Sequence, residues 1–256
     1  MTDYSQWSVA QLLCLRIGSA VLMAALGSAV VLFRKTVSHR SLCLLISFAA
    51  GALLAVALFD IVPESVGMIG WPKALASVFS GYLLFFAITR FVFHVCPACA
   101  ATHTEARFKA ITLSMIAALS VHSFLDGLAI YSGFLTGARV GTLIFLAVAY
   151  HKFPEGMALT LVGIGSGMSR IRAFLICVLL EAGTTAAGGI AGLAVLLQGN
   201  LRCAGYVLGH VSGGFMYLVI HALLSEFIKH HPRSTVIAAL AGGLSILFVG
   251  MLTGVR

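Results

Sequence analysis

Charge is what this sequence has least of. Of its 256 residues 9% are charged and only eight are acidic, where about a quarter charged is usual for a soluble domain. With 60% hydrophobic residues, a water-soluble domain is excluded. The strand-period alternation of a membrane barrel is missing as well. So is any HExxH sequence, which would give a helix two zinc ligands and a general base. Met1 to Ala10 hold no Lys or Arg, so the basic flank of a cleavable secretory signal is lacking and the first apolar run reads as a retained helix.

What is there instead is a series of eight apolar runs, near 11–33, 41–63, 74–93, 110–132, 141–163, 171–197, 203–228 and 235–254. Each is long enough to cross roughly 30 Å of hydrocarbon as a helix. The reading is an all-α membrane protein: one transmembrane domain over 1–256, with eight helices and room for little else. Its one sizeable connector, 94–109, is placed in the cytoplasm. Basic residues set the orientation. Alternate connectors hold Arg34, Lys35, Arg40, Arg90, Arg107, Lys109, Arg170, Arg172, Lys229 and Arg233, and the opposite set holds Lys73, Arg139, Arg202 and Arg256. That bias places both termini outside and most of the net charge of +8 on the inner surface. The partner of this charge is the lipid bilayer, not nucleic acid. The expected location is the plasma membrane, as a multi-pass protein.

The few acids sit where solvent would not be. Asp126, Glu155 and Glu181 fall inside runs, and Asp60, Glu64 and Glu226 in last turns. A carboxylate at mid-membrane costs roughly 2.5–3.5 kcal/mol even on the lenient insertion scale. Lys152 is the one basic side chain at similar depth, so either the acids are protonated or a cation joins them. Two patterns favour the cation: HSFLDG at 122–127 and HKFPEG at 151–156. In each, a His precedes a carboxylate by four positions, which stacks a nitrogen and an oxygen donor on one helix face. Counted from opposite surfaces, both pairs reach the midplane. Pro154 removes a helical hydrogen bond and frees the Tyr150 carbonyl, while Gly127 and Gly156 allow close helix approach.

These segments resemble the paired fourth- and fifth-helix signatures of the ZIP (Zrt/Irt-like) family of divalent metal transporters. FAAGALLAVALFDIVPES at 48–65 resembles that family's second helix, and SGGFMYLVIHALLSE at 212–226 its seventh. The resemblance implies a three-plus-two-plus-three bundle with inverted-repeat outer triplets. It is echoed in the equal intervals Gly51 to Glu64 and Gly213 to Glu226. It also implies that His122, Asp126, His151 and Glu155 are metal ligands, with Glu181 offered by the sixth helix. Two positions depart from the family pattern: Leu53 stands where some relatives have a methionine ligand, and Lys152 where two-metal relatives have an acid or amide. Ser123 and Lys152 thus occupy the second-site positions, and the lysine charge replaces a second ion.

Two imidazoles with two or three carboxylates suit zinc first, then iron, manganese or cadmium, as transported substrate; no prosthetic group is expected. Asp60 and Glu64 would gather cations at the outer entrance, and His221 and Glu226 receive them at the inner exit. In the 94–109 connector, His94, Cys96, Cys99 and His103 form a candidate regulatory metal site. Small residues on several helices permit a homodimer without requiring one. The competing readings are an intramembrane zinc hydrolase and a proton-coupled carrier of an organic solute.

Overall fold

The computed structural model describes residues 9–34, 38–92, 108–196, 201–223 and 232–252, and among these every regular element is helical. The helices are α1 (Val9–Phe33), α2 (His39–Val56), α3 (Val62–Ile69), α4 (Trp71–Val92), α5 (Phe108–Thr136), α6 (Ala138–Gly165), α7 (Arg170–Leu196), α8 (Leu201–Tyr217) and α9 (Pro232–Leu252). Two π-helical turns interrupt the series: Ala57–Ile61, which joins α2 to α3, and Leu218–Leu223, which follows α8. The helices begin a few residues ahead of the apolar runs because polar and proline residues make their first turns. Ser38 caps α2 by accepting the Ser41 N–H at 3.1 Å, and Pro72 and Pro232 sit in first turns, where no N–H is needed. Gly70 and Gly137 end α3 and precede α6 at φ of 79° and 141°, a region that side-chain-bearing residues avoid.

Seven spans among the described residues are long and apolar enough to cross a membrane, with α2 and α3 counting as one. The 28-residue α6 matches them in length but not in composition, since it carries Arg139, His151, Lys152 and Glu155. It need not be lipid-like, because it packs against α1, α2, α5 and α7 and most of its residues are buried. The outward faces of the surrounding bundle are apolar: Leu22, Phe79, Leu179, Ile190, Leu244 and Phe248 are all exposed. A molecule with ionisable groups inside and a hydrocarbon coat outside is built for lipid.

Four helix pairs are locked by the same device. A methyl group on Gly51 or Gly242 would collide with the backbone of α9 or α2, at Ala239 and Phe48 respectively. The same holds for Gly81 against His210 and Gly213 against Val78 between α4 and α8, for Gly27 against Phe153 and Gly156 against Ala24 between α1 and α6, and for Gly127 against Thr185 and Gly188 against Phe124 between α5 and α7. In every case the glycine lies three residues beyond the carbonyl that its partner glycine meets. Such contacts replace the missing hydrophobic drive between helices in lipid with backbone-to-backbone packing.

The backbone irregularity falls elsewhere than Pro154 pointed. α6 runs unbroken through Pro154, and the widened turn is at 57–61. Pro63 explains that turn: it has no N–H to give Phe59, and its ring crowds that carbonyl. The ladder shifts register just before it, Val62 donating to Ala57.

Candidate metal centre

His122 and Asp126 of α5 and His151 and Glu155 of α6 are the i, i+4 pairs of the two motifs, and the packing of α5 on α6 brings them face to face. One donor atom from each can be chosen so that all four lie within 4.8 Å of one another. All four side chains are buried. His151 Nε2 is 3.1 Å from Asp126 Oδ2, His122 Nε2 is 3.7 Å from that same oxygen, and His151 Nε2 is 3.9 Å from Glu155 Oε2. The two imidazoles stand 5.1 Å apart between centroids. Phe215 meets both rings edge-on at 6.1 and 6.2 Å, and Phe85 meets His122 at 6.0 Å. Burial behind these rings strengthens the charge interactions inside the site.

His151 Nδ1 lies 3.0 Å from the Ala147 carbonyl oxygen, which can only accept. The proton on Nδ1 is thereby engaged, and Nε2 faces Asp126 as a metal ligand would, the usual outer-shell arrangement of ligating histidines. Asp126 Oδ1, Glu155 Oε1 and His122 Nδ1 are buried and have no hydrogen-bond partner. Buried polar atoms are almost always paired, so unpaired atoms gathered here fit a donor set awaiting a cation. Two nitrogen and two oxygen donors make a borderline site suited to zinc and its first-row neighbours.

Glu181 of α7 lies beside this cluster, not in it. Its Oε2 takes the Lys152 ammonium at 2.7 Å and the Ser123 hydroxyl at 3.1 Å. Asp60 is buried in the first π turn and pairs with Arg139, at the start of α6, across 3.5 Å. Glu64 is half-buried on α3. His221 falls within the second π turn, while Glu226 and His94, Cys96, Cys99 and His103 lie outside the described residues. Sequence reasoning missed Arg139 as the partner of Asp60, having counted it only as a connector charge. It also missed a buried polar strip running from Glu181: Cys177 on Gly156 O at 3.7 Å and Ser28 against Thr160 at 2.5 Å. The i, i+4 spacing of Cys177 and Glu181 was the available signal.

Against known proteins, the family model described as ZIP Zinc transporter matches residues 99–250. Zinc transporter ZupT of Chlorobium luteolum is 28% identical, the alignment covering 97% of this chain and 98% of that one. Zinc transporter zipt-7.2 of Caenorhabditis elegans is 28% identical over 49% of this chain and 28% of its own, and ZIP13 of Pongo abelii 25% identical over 72% and 58%. The chain thus spans under a third of several curated relatives, 28% of zipt-7.2 and 30% of the rat SLC39A7 transporter. The matched stretch contains both histidine–carboxylate motifs, Lys152 and Glu181, and it covers more than half of the sequence. The chain therefore belongs to the ZIP zinc transporter family.

Proposed function

We propose that this protein moves a divalent transition-metal ion, zinc in the first place, across a membrane and into the cytoplasm, with His122, Asp126, His151 and Glu155 as the ligands at the midpoint of the route. The observation that carries this reading is the convergence of four buried donor atoms from two crossing helices in a molecule coated with apolar side chains. The family is one of transporters, which leaves the hydrolase reading without support. A proton-coupled carrier of an organic solute would also bury acids and imidazoles, but the matched family is one of zinc transporters.

The ion sheds water at the mouth, exchanges it for imidazole and carboxylate, and leaves toward the basic end. Protons compete with it, because the ligands bind metal only when deprotonated. The three-plus-two-plus-three inverted repeat with both termini outside is part of the proposal. The matched glycine locks support it: exchanging α1 with α7, α2 with α8, α4 with α9 and α5 with α6 carries each locked pair onto another. The two π turns begin six residues after Gly51 and five after Gly213, as that exchange requires to within one residue. In this scheme Asp60 and Glu64 serve the entrance, and His221 and Glu226 the exit. The 94–109 connector with His94, Cys96, Cys99 and His103 receives or senses metal. The plasma membrane and a homodimeric assembly complete the proposal.

The test is uptake of radiolabelled zinc into proteoliposomes. The wild type should load the vesicles, and His151→Ala or Glu155→Ala should lose at least ~10-fold in rate, since each removes a ligand. Vesicles with the wild type that load no faster than empty ones would sink the proposal.

A further inference from the structure

His210 of α8 and Ser80 of α4 lie within a residue of the middle of their spans, Arg202–Ile220 and Trp71–Arg90, yet neither belongs to the buried interior. Ser80 is exposed and His210 half-buried, and around them Phe79, Leu83 and Tyr206 are exposed as well. In a bilayer this outward surface meets hydrocarbon, where an imidazole and a hydroxyl are costly unless hydrogen-bonded. They are bonded to each other, with His210 Nδ1 standing 2.8 Å from Ser80 Oγ. Gly81 draws the two helices together at this point, against the His210 carbonyl.

The placing of protons decides what is left over. Ser80 Oγ also lies 2.6 Å from the Ser77 carbonyl oxygen, which can only accept, so the one hydroxyl hydrogen goes there. The bond to His210 then takes its hydrogen from the ring, which puts it on Nδ1 and leaves Nε2 with a bare lone pair. Among the described residues Nε2 has no hydrogen-bond partner. The surface therefore presents an unused acceptor at mid-membrane depth, and what covers it must bring a donor.

A second copy inserted the same way, related by a two-fold axis along the membrane normal, carries its own Ser80 and His210 at that same depth. Each Ser80 hydroxyl can swing from the Ser77 carbonyl, which keeps its bond within α4, to Nε2 of His210 of the partner subunit. The two imidazoles and two hydroxyls then close a ring in which every donor and every acceptor is used. A lone hydroxyl on some other helix would satisfy one Nε2; the self-complementary pattern satisfies both.

We propose that the outward face of α4 and α8 at Ser80 and His210 is where two copies of this chain meet, held at its centre by that reciprocal ring and flanked by Phe79 and Leu83. This gives a surface to the homodimer of the proposed function and rests on that assembly, not on the metal reading.

A chain with its six native cysteines replaced receives one cysteine at Phe79 or, as a control on α9, at Leu244, both exposed and close to mid-span. In phosphatidylcholine vesicles at low protein-to-lipid ratio, Phe79→Cys should form an intermolecular disulfide under copper phenanthroline, and Leu244→Cys should not. Adding His210→Leu or Ser80→Ala to Phe79→Cys should each slow the cross-link roughly 10-fold, since each removes both interhelical hydrogen bonds of the ring. Both replacements suit lipid better than the native residues, so poorer insertion would not account for the loss. No cross-link at Phe79, a faster one at Leu244, or a rate indifferent to either added substitution overturns the inference; if one variant fails to elute as a folded species, the other decides. Zinc uptake into the same vesicles reads the transport proposal separately: a chain that cross-links at Phe79 but loads no zinc sinks that proposal and leaves this surface standing.

Discussion

Around Asp126, a single oxygen does several things at once. Its Oδ2 faces His151 Nε2 at 3.1 Å and Lys152 Nζ at 2.9 Å, so removing this carboxylate would strip a ligand and the lysine's anchor together. Asp60 is a simpler case. It is buried beside one arginine, about 18 Å along α6 from His151 at the helical rise, and the α6 side chains between, Leu143, Ile144, Ala147 and Val148, are buried and apolar. Taking away one partner of a buried pair normally destabilises by several kcal/mol, but Arg139 is 40% exposed, so its removal should cost only a fraction of that. If Asp60 serves the entrance, Arg139→Gln frees it for a cation and the half-saturating zinc concentration of uptake falls, by about 3-fold for each ~0.65 kcal/mol of competition removed. Asp60→Asn should raise it. Opposite shifts in a zinc-uptake titration support an entrance role; parallel losses of folded protein from both variants would reduce the pair to a strut.

The helices themselves were legible because apolar length is written directly into composition, and the two i, i+4 motifs because stacking on a helix face follows from 3.6 residues per turn. The π turns were not, since one extra residue in a turn leaves no trace in hydropathy. Nor could the sequence say which carbonyl each glycine would meet, although Gly127 and Gly156 stood out as small residues beside the ligands. That detail decides tolerance. Gly156 lies against the backbone of α1 at Ala24, while nothing lies within 4 Å of where a methyl on Gly183 would go. Gly156→Ala must push α1 away from α6, an overpacking cost of about 1–3 kcal/mol, and should lower the thermal midpoint of the detergent-purified chain and its zinc affinity together. Gly183→Ala should leave both unchanged or raise the midpoint slightly, through the helix preference of alanine. Equal behaviour of the two variants in thermal unfolding would mean that the close crossing is not what holds α1 on α6.

For the whole molecule, direction of transport reduces to which end faces the cytoplasm. The end where α1 stops and α7 starts is the basic one, and the two helices are tied there by Arg170, whose guanidinium donates to the Arg34 carbonyl at 2.8 Å and, more weakly, to those of Val31 and Leu32. A cation closing the C-terminal end of a helix is favourable in itself, so this tie would form whichever way the protein is inserted. Insertion in the proposed orientation follows instead from the bias of Lys and Arg between alternate connectors, which would keep the basic end in the cytoplasm. Ser169 and Ala138 are exposed residues at opposite ends of the bundle, before α7 and at the start of α6. With the six native cysteines replaced, a cysteine at Ala138 should react with a membrane-impermeant maleimide on intact cells. One at Ser169 should react only after permeabilisation. The reverse pattern would put the Asp60 mouth on the cytoplasmic side, and the same buried ligands would then serve export, because nothing in the His122, Asp126, His151 and Glu155 cluster distinguishes one approach from the other.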